Sequence, residues 1–267
     1  MSERRYSTSQ ARQLACEGVT RFDEGDEPRF FEILDSLTKS KSSFEVIRAF
    51  GDELGKGANL DSERYFALFD EIMHRAREVS YDPAIHTTTT RNIDKNIDAL
   101  VYGGRVAIIG SALTRMREEH WKRILQIIEA WNLEYNDWYV VDSWCNHPMA
   151  HIIAEHQDVM LDILSKWSKS DNFWFRKAVP VYLQAFFTHY AGYEISPFLD
   201  ILDGLMLDKE KWVAKGMGWC LREMAKNYQP QLFDFLKKWS KVDGVKKLIF
   251  REALKKLDKD AKKEVIR

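Results

Sequence analysis

The 267 residues are 45% hydrophobic and 13% aromatic, enough to bury a core, which excludes a wholly disordered chain. Only 13 glycines and 6 prolines stand against abundant Lys, Glu, Leu, Ala and Arg, which excludes a turn-rich all-β fold and points to helices. The formal net charge of −1 excludes a chain that is basic throughout, and three scattered cysteines (Cys16, Cys145, Cys220) exclude a disulfide framework and read as reduced thiols of a cytoplasmic protein.

In chain order, the first five residues lead into polar sequence with no apolar stretch behind them, so no signal peptide is expected. Residues 1–27 read as a polar, partly helical lead-in, and residues 28–90 as a divergent N-terminal helical part. Within the latter, Phe30, Phe31, Ile33, Leu34 and Leu37 recur at helical spacing, as do Phe44, Ile47, Phe50 and Leu54 before a stop at Gly55–Lys56–Gly57. Tyr65, Phe66, Leu68, Phe69, Ile72 and Met73 form a further stripe. Residues 81–90, with Asp82–Pro83 and four threonines, read as a long loop and a soft boundary. The longest apolar run, residues 106–109 extended by Ala112 and Leu113, is far short of a membrane span, so no membrane partner is expected.

Residues 91–267 read as closely spaced helices at roughly 92–116, 118–131, 136–145, 148–169, 172–191, 195–206, 209–227, 229–240 and 244–257, with no period-two alternation and hence no sheet. This region also repeats itself. Met160–Leu161–Asp162–Ile163–Leu164 matches Phe198–Leu199–Asp200–Ile201–Leu202 at an offset of 38, and the same offset carries Trp174 to Trp212 and Lys177 to Lys215. A third copy starts at Leu232–Phe233–Asp234–Phe235–Leu236, and Ile33–Leu34–Asp35 is a weaker echo. Such a period, with two helices per unit, predicts an all-α protein whose core is a curved α-solenoid of HEAT-like helix-pair repeats. Residues 101–267 hold 26 Lys+Arg against 22 Asp+Glu, whereas the first hundred hold 14 against 19, so a basic face can be assembled in the rear part.

Four segments could carry chemistry. Trp138 and Asp142 are four apart, which puts a π surface and a carboxylate on one helix side, suited to a cationic ligand or transition state. The same spacing also fits a core tryptophan beside an aspartate that caps a helix or pairs with a lysine. In Asp171–Asn172–Phe173–Trp174–Phe175–Arg176–Lys177 an N-cap is followed by cations in the first turns, against the helix dipole, as phosphate contacts or as a salt-bridged surface. In the segment from Trp212 to Glu223, Gly216 and Gly218 each cost roughly 1 kcal/mol in a helix, which predicts close approach by a neighbouring helix or a ligand. Trp219 and Arg222 share a face there, although spacing alone reads Trp219 first as core. His147, His151, Glu155 and His156, near Cys145, hold metal-ligand types at i,i+4 spacing. Without an HExxH arrangement, and with Pro148 between the first two histidines, they predict no metal site.

Taken together, Trp138-x-x-x-Asp142-x-x-Cys145, Asn172-x-Trp174-x-Arg176–Lys177 and Lys215-x-x-Gly218–Trp219-x-Leu221–Arg222–Glu223 resemble the DNA alkylation repair family of helical-repeat alkylpurine DNA glycosylases, over roughly residues 105–257. Lys177 stands where that family usually has a second arginine, and residues 1–100 match its pattern poorly. The resemblance implies a monofunctional glycosylase without cofactor, a monomer acting on duplex DNA that holds N3- or N7-alkylated purines. It implies Asp142 as catalytic carboxylate, Trp138 and Trp219 as aromatic walls, and Arg176, Lys177, Lys215 and Arg222 as phosphate contacts. The alternative is a non-catalytic HEAT-like module that binds DNA or protein through its concave face.

Overall fold

The computed structural model describes residues 4–58, 61–78, 97–135 and 138–266, and among them every regular element is helical. The expected loop at 81–90 lies outside the described residues. No helix among them is long and apolar enough to cross a membrane. The chain divides into two compact units, Met1–Ile124 and Leu125–Arg267.

The first unit begins with α1 (Thr8–Asp23), which starts at a reciprocal capping box: Gln10 N–H donates to Ser7 Oγ and Ser7 N–H to Gln10 Oε1. The lead-in is thus a packed helix, whose inner stripe is Ala11, Ala15, Gly18 and Phe22. Small side chains gave that stripe little hydrophobic signal, yet they let α1 lie close against α2 (Glu27–Thr38) and α3 (Phe44–Gly57). The aromatic stripes foreseen for α2, α3 and α4 (Ser62–Glu78) are buried except for half-buried Phe44, with Phe30, Phe50, Phe66 and Phe69 enclosed, each contributing about 1.5–3 kcal/mol through burial. Helix α5 (Ile97–Tyr135) runs through the expected break near residue 117 and bends at His120 instead, where φ is −119° and ψ 16°.

The second unit continues with α6 (Trp138–Ser143), a π-helical turn (Cys145–Met149) and α7 (Ala150–Glu155). The single helix expected over 148–169 is broken at His156, whose φ of −136° and ψ of 48° turn the chain into α8 (Gln157–Trp167). No glycine or proline marks that corner, so the apolar periodicity reads straight through it. Then follow α9 (Phe173–His189), α10 (Ser196–Asp203), α11 (Lys211–Met224), α12 (Gln229–Trp239), α13 (Lys247–Ala253) and α14 (Lys259–Ile266).

Repeat-equivalent positions on α8, α10 and α12 have equivalent environments. Met160, Phe198 and Leu232 are buried on α8, α10 and α12, as are Leu164, Leu202 and Leu236, while Asp162, Asp200 and Asp234 face solvent. Trp167 Nε1 donates to Glu129 on α5 at 3.0 Å, and Trp239 Nε1 to Asp203 on α10 at 2.5 Å, each indole reaching back to an earlier helix. Alternate helices are neighbours: α11 packs between α9 and α13, α8 touches α10 and α12 touches α14. The two glycines of α11 make this possible. A Cβ on Gly216 would sit 3.2 Å from Pro180 Cγ on α9, and one on Gly218 2.9 Å from Glu252 Cβ on α13. The close approach predicted for them is therefore made by two helices, one on each side.

Candidate functional site

Helix α9 anchors the site. Its N-cap is Asn172, whose side chain accepts from Trp174 N–H at 2.9 Å. Thirteen of its seventeen residues are buried, and Lys177 is one of them. Helices α6 and α11 flank it and supply the other groups.

Asp142 lies one turn after Trp138 on α6 and forms an ion pair through Oδ1 with Lys177 Nζ, which also donates to the Trp138 carbonyl at 3.3 Å. The Lys177 side chain is 3% exposed and that of Asp142 25%, so the carboxylate keeps contact with solvent while the ammonium does not. Below them, buried Cys145 donates its thiol to the Asp142 backbone carbonyl at 2.8 Å. Burial first, and the Asp142 charge second, push that thiol up to about 12, which leaves it protonated and unsuited to nucleophilic work.

Over these charges lies an aromatic cluster. The Trp138 and Trp212 rings are parallel within 7° at 6.3 Å between centroids, and Trp174 leans against Trp212 at 5.7 Å. Lys177 Nζ is 5.8 Å from the Trp174 ring and 5.9 Å from that of Trp212, and Lys215 Nζ is 4.1 Å from Trp212, all within reach of cation–π attraction. The Trp138 indole N–H is buried without a hydrogen-bond partner among the described residues. On α11, Trp212, Lys215, Trp219 and Arg222 follow at intervals of three or four as one half-buried stripe, while the residues between them are buried.

Of the seven residues singled out by sequence, Trp138, Asp142, Lys177 and Lys215 are brought together. Trp219 and Arg222 lie farther along the α11 stripe, and the ring stacked on Trp138 is Trp212 rather than Trp219. Trp219 is half-buried rather than fully enclosed by helices. Arg222 pairs with Glu252 at 3.0 Å and with Glu223 at 2.9 Å. Arg176 is turned to Asp208 at 2.6 Å and to the carbonyls of Ser170 and Asp171, which ties the start of α9 to the segment before α11. Arg176 and Lys177 were both expected to meet phosphate; in the structure their charges are answered inside the protein. Trp212 was missed as a site residue, although its equivalence to Trp174 across the 38-residue offset was the signal that marked it.

The histidine-rich segment disperses. His151 Nδ1 meets Tyr190 Oη at 2.5 Å, His147 lies in extended backbone (φ −152°, ψ 108°) before Pro148, and His156 forms the corner between α7 and α8. Among the described residues no group of three or more His, Cys, Asp or Glu is placed to share a metal ion.

The family model described as DNA alkylation repair enzyme matches residues 104–257, more than half of the chain and the whole of the site. No curated protein matches.

Proposed function

Since the chain belongs to the DNA alkylation repair enzyme family, we propose that it is a monofunctional DNA glycosylase, hydrolysing the N-glycosidic bond of N3- or N7-alkylated purines in duplex DNA as a cytoplasmic monomer without cofactor. A single arrangement carries this: a solvent-reaching carboxylate, Asp142, one turn from the Trp138 ring and fixed by Lys177. An alkylated purine is cationic, so its glycosidic bond is already weakened and no proton has to be delivered to the leaving group. As the C1′–N bond breaks, the base takes the bonding electron pair and leaves neutral, and the sugar becomes an oxocarbenium ion. An anion held nearby lowers the energy of that cation, and a positioned water adds to C1′ and releases a proton to Asp142 or to solvent.

In this proposal Trp138 and Trp219 face the charged purine, and Lys215 and Arg222 meet the phosphate backbone. Lys177 acts on Asp142, and Arg176 holds the start of α9. The helix pairs of the second unit stack as HEAT-like repeats, with α6, α9, α11 and α13 lining a groove for DNA.

Wild-type protein is expected to release 7-methylguanine or 3-methyladenine from methylated duplex DNA. Asp142→Asn, which keeps an oxygen for Lys177, should slow release by about a hundred-fold or more, in the range seen when one transition-state stabiliser is removed. One observation favours a second reading, a non-catalytic DNA-binding module: the ion pair already balances the Asp142 charge. Absence of base release, combined with salt-sensitive duplex binding, would select that module.

A further inference from the structure

Two half-buried carboxylates sit inside the basic stretch at the rear of the chain, and both hold Arg222. Glu223 accepts from Arg222 Nε at 2.9 Å and Glu252 from Nη1 at 3.0 Å, so among the described residues only Nη2 is without a partner. The guanidinium therefore has no two nitrogens free to grip a phosphate side by side. Glu252 reaches this position from a neighbouring helix, α13. A Cβ on Gly218 would lie 2.9 Å from Glu252 Cβ and 3.2 Å from its Cγ, so the glycine one turn before Arg222 leaves the notch through which the glutamate stem passes. Glu252 also stands in the last turn of its own helix, where the dipole disfavours an anion. Lys255 at 2.6 Å and Arg251 at 3.7 Å share its carboxylate, as Lys256 shares that of Glu223. The Lys255 hydrogen bond first, then the charges of Lys255, Arg222 and Arg251, hold the Glu252 carboxyl below its ordinary range against burial. It stays an anion among cations.

We propose that Glu252 is an internal competitor for the DNA backbone: it holds Arg222 in the free protein and gives it up to a phosphate when duplex binds, and so sets how tightly DNA is held. The inference rests on the reading of Arg222 as a phosphate contact and adds the residue that tunes it. A carboxylate here has two opposed effects, since it orders Arg222 and also occupies it. Ordering is the smaller effect, because an ion pair that water still reaches contributes little. One added phosphate contact, at a log–log slope of about 0.9, is worth roughly eight-fold in 0.1 M salt relative to 1 M. Glu252 therefore weakens duplex binding. It is the partner that yields because it lies on a separate helix, and Lys255 and Arg251 remain to neutralise it after Arg222 has left. A protein that must leave its abasic product gains turnover from a grip limited in this way.

Fluorescence anisotropy of full-length protein on an undamaged duplex, over a series of salt concentrations, tests this. Glu252→Gln should bind roughly five- to ten-fold more tightly in 0.1 M salt and steepen the log–log slope by about one unit. Asp243→Asn removes a like charge from the exposed turn before α13, which makes no ion pair with Arg222, and should change affinity by less than about two-fold. In an Arg222→Met background, Glu252→Gln should no longer affect the slope. Glu252→Ala, which keeps the Cβ beside Gly218, replaces the glutamine variant if thermal melts show that it unfolds early. Unchanged or weaker binding by the Glu252 variant, an equal gain from Asp243→Asn, or a steeper slope that survives Arg222→Met overturns the inference, as does a wild type that does not bind duplex. If wild type binds duplex but releases no base from methylated DNA, the glycosylase reading fails while the competition for Arg222 stands; base release with an unresponsive Glu252 variant overturns only the competitor.

Discussion

Asp142 and Lys177 differ sharply in their access to water, and that difference sets what each contributes. With the ammonium 3% exposed and the carboxylate 25%, deleting the anion strands a buried charge, whereas deleting the cation leaves an aspartate that water can reach. Asp142→Ala is therefore expected to destabilise the protein by about 3–5 kcal/mol, and Lys177→Met by about 1–3 kcal/mol. Urea unfolding of both, with the double variant, would expose the reverse order if the ammonium were better hydrated than its 3% exposure implies. The sequence held part of this. The i,i+4 spacing put Trp138 and Asp142 on one side, and a lysine partner for Asp142 was among the readings left open. That the partner is Lys177 depends on α6 and α9 being packed together, a pairing of residues 35 apart that spacing alone does not reveal. One clue was present: α9 is apolar almost all round, the mark of a buried helix, so a lysine in its first turns was a candidate for burial.

At the scale of the element, helix approach distances decide which glycines can be replaced. On α3, a Cβ at Gly51 would lie 2.1 Å from the Ile108 carbonyl oxygen of α5, a backbone atom that cannot step aside. At Gly216 the nearest atoms, Pro180 Cγ at 3.2 Å and Val181 Cγ2 at 3.3 Å, belong to side chains. Gly51→Ala should thus cost about 1–3 kcal/mol or more, while at Gly216 the helix propensity gained, about 1 kcal/mol, offsets much of the crowding. Denaturant midpoints of the two variants check the ranking, and equal losses would contradict it. The helices whose stripes are built from Phe, Leu and Ile were legible in advance, and those that were not share a cause. In α1 the inner face is Ala11, Ala15 and Gly18, small residues that pack by proximity rather than by apolar area. No glycine or proline announces the bend at His120 or the corner at His156.

Across the whole molecule, charge is graded along the chain. Residues 209–267 carry 17 Lys+Arg against 8 Asp+Glu, whereas residues 1–208 carry 23 against 33, so a chain of net charge −1 holds one strongly basic stretch at its rear. That stretch contains α11 and α13. Lys177, Lys215 and Arg251 each stand four residues after the first residue of α9, α11 and α13, and the side chain of Arg251 is 70% exposed. Duplex affinity should therefore fall steeply with salt, and Lys247→Glu with Arg251→Glu should reduce the slope by about one unit for each phosphate no longer neutralised, with little change in Tm. An unchanged slope would remove α13 from the DNA-facing surface. Global composition concealed this asymmetry, and halving the chain revealed only a weak version of it.

The parallel Trp138 and Trp212 rings also give the molecule an optical signature. Two indoles aligned within 7° at 6.3 Å couple their excited states, so their contribution to the circular dichroism spectrum is that of a pair rather than of two separate chromophores. The chain has nine tryptophans, but a coupled band that disappears in Trp212→Phe would belong to this pair. Anything that enters between the rings or slides them apart would change that band, which makes the site report its own occupancy without a label and without turnover.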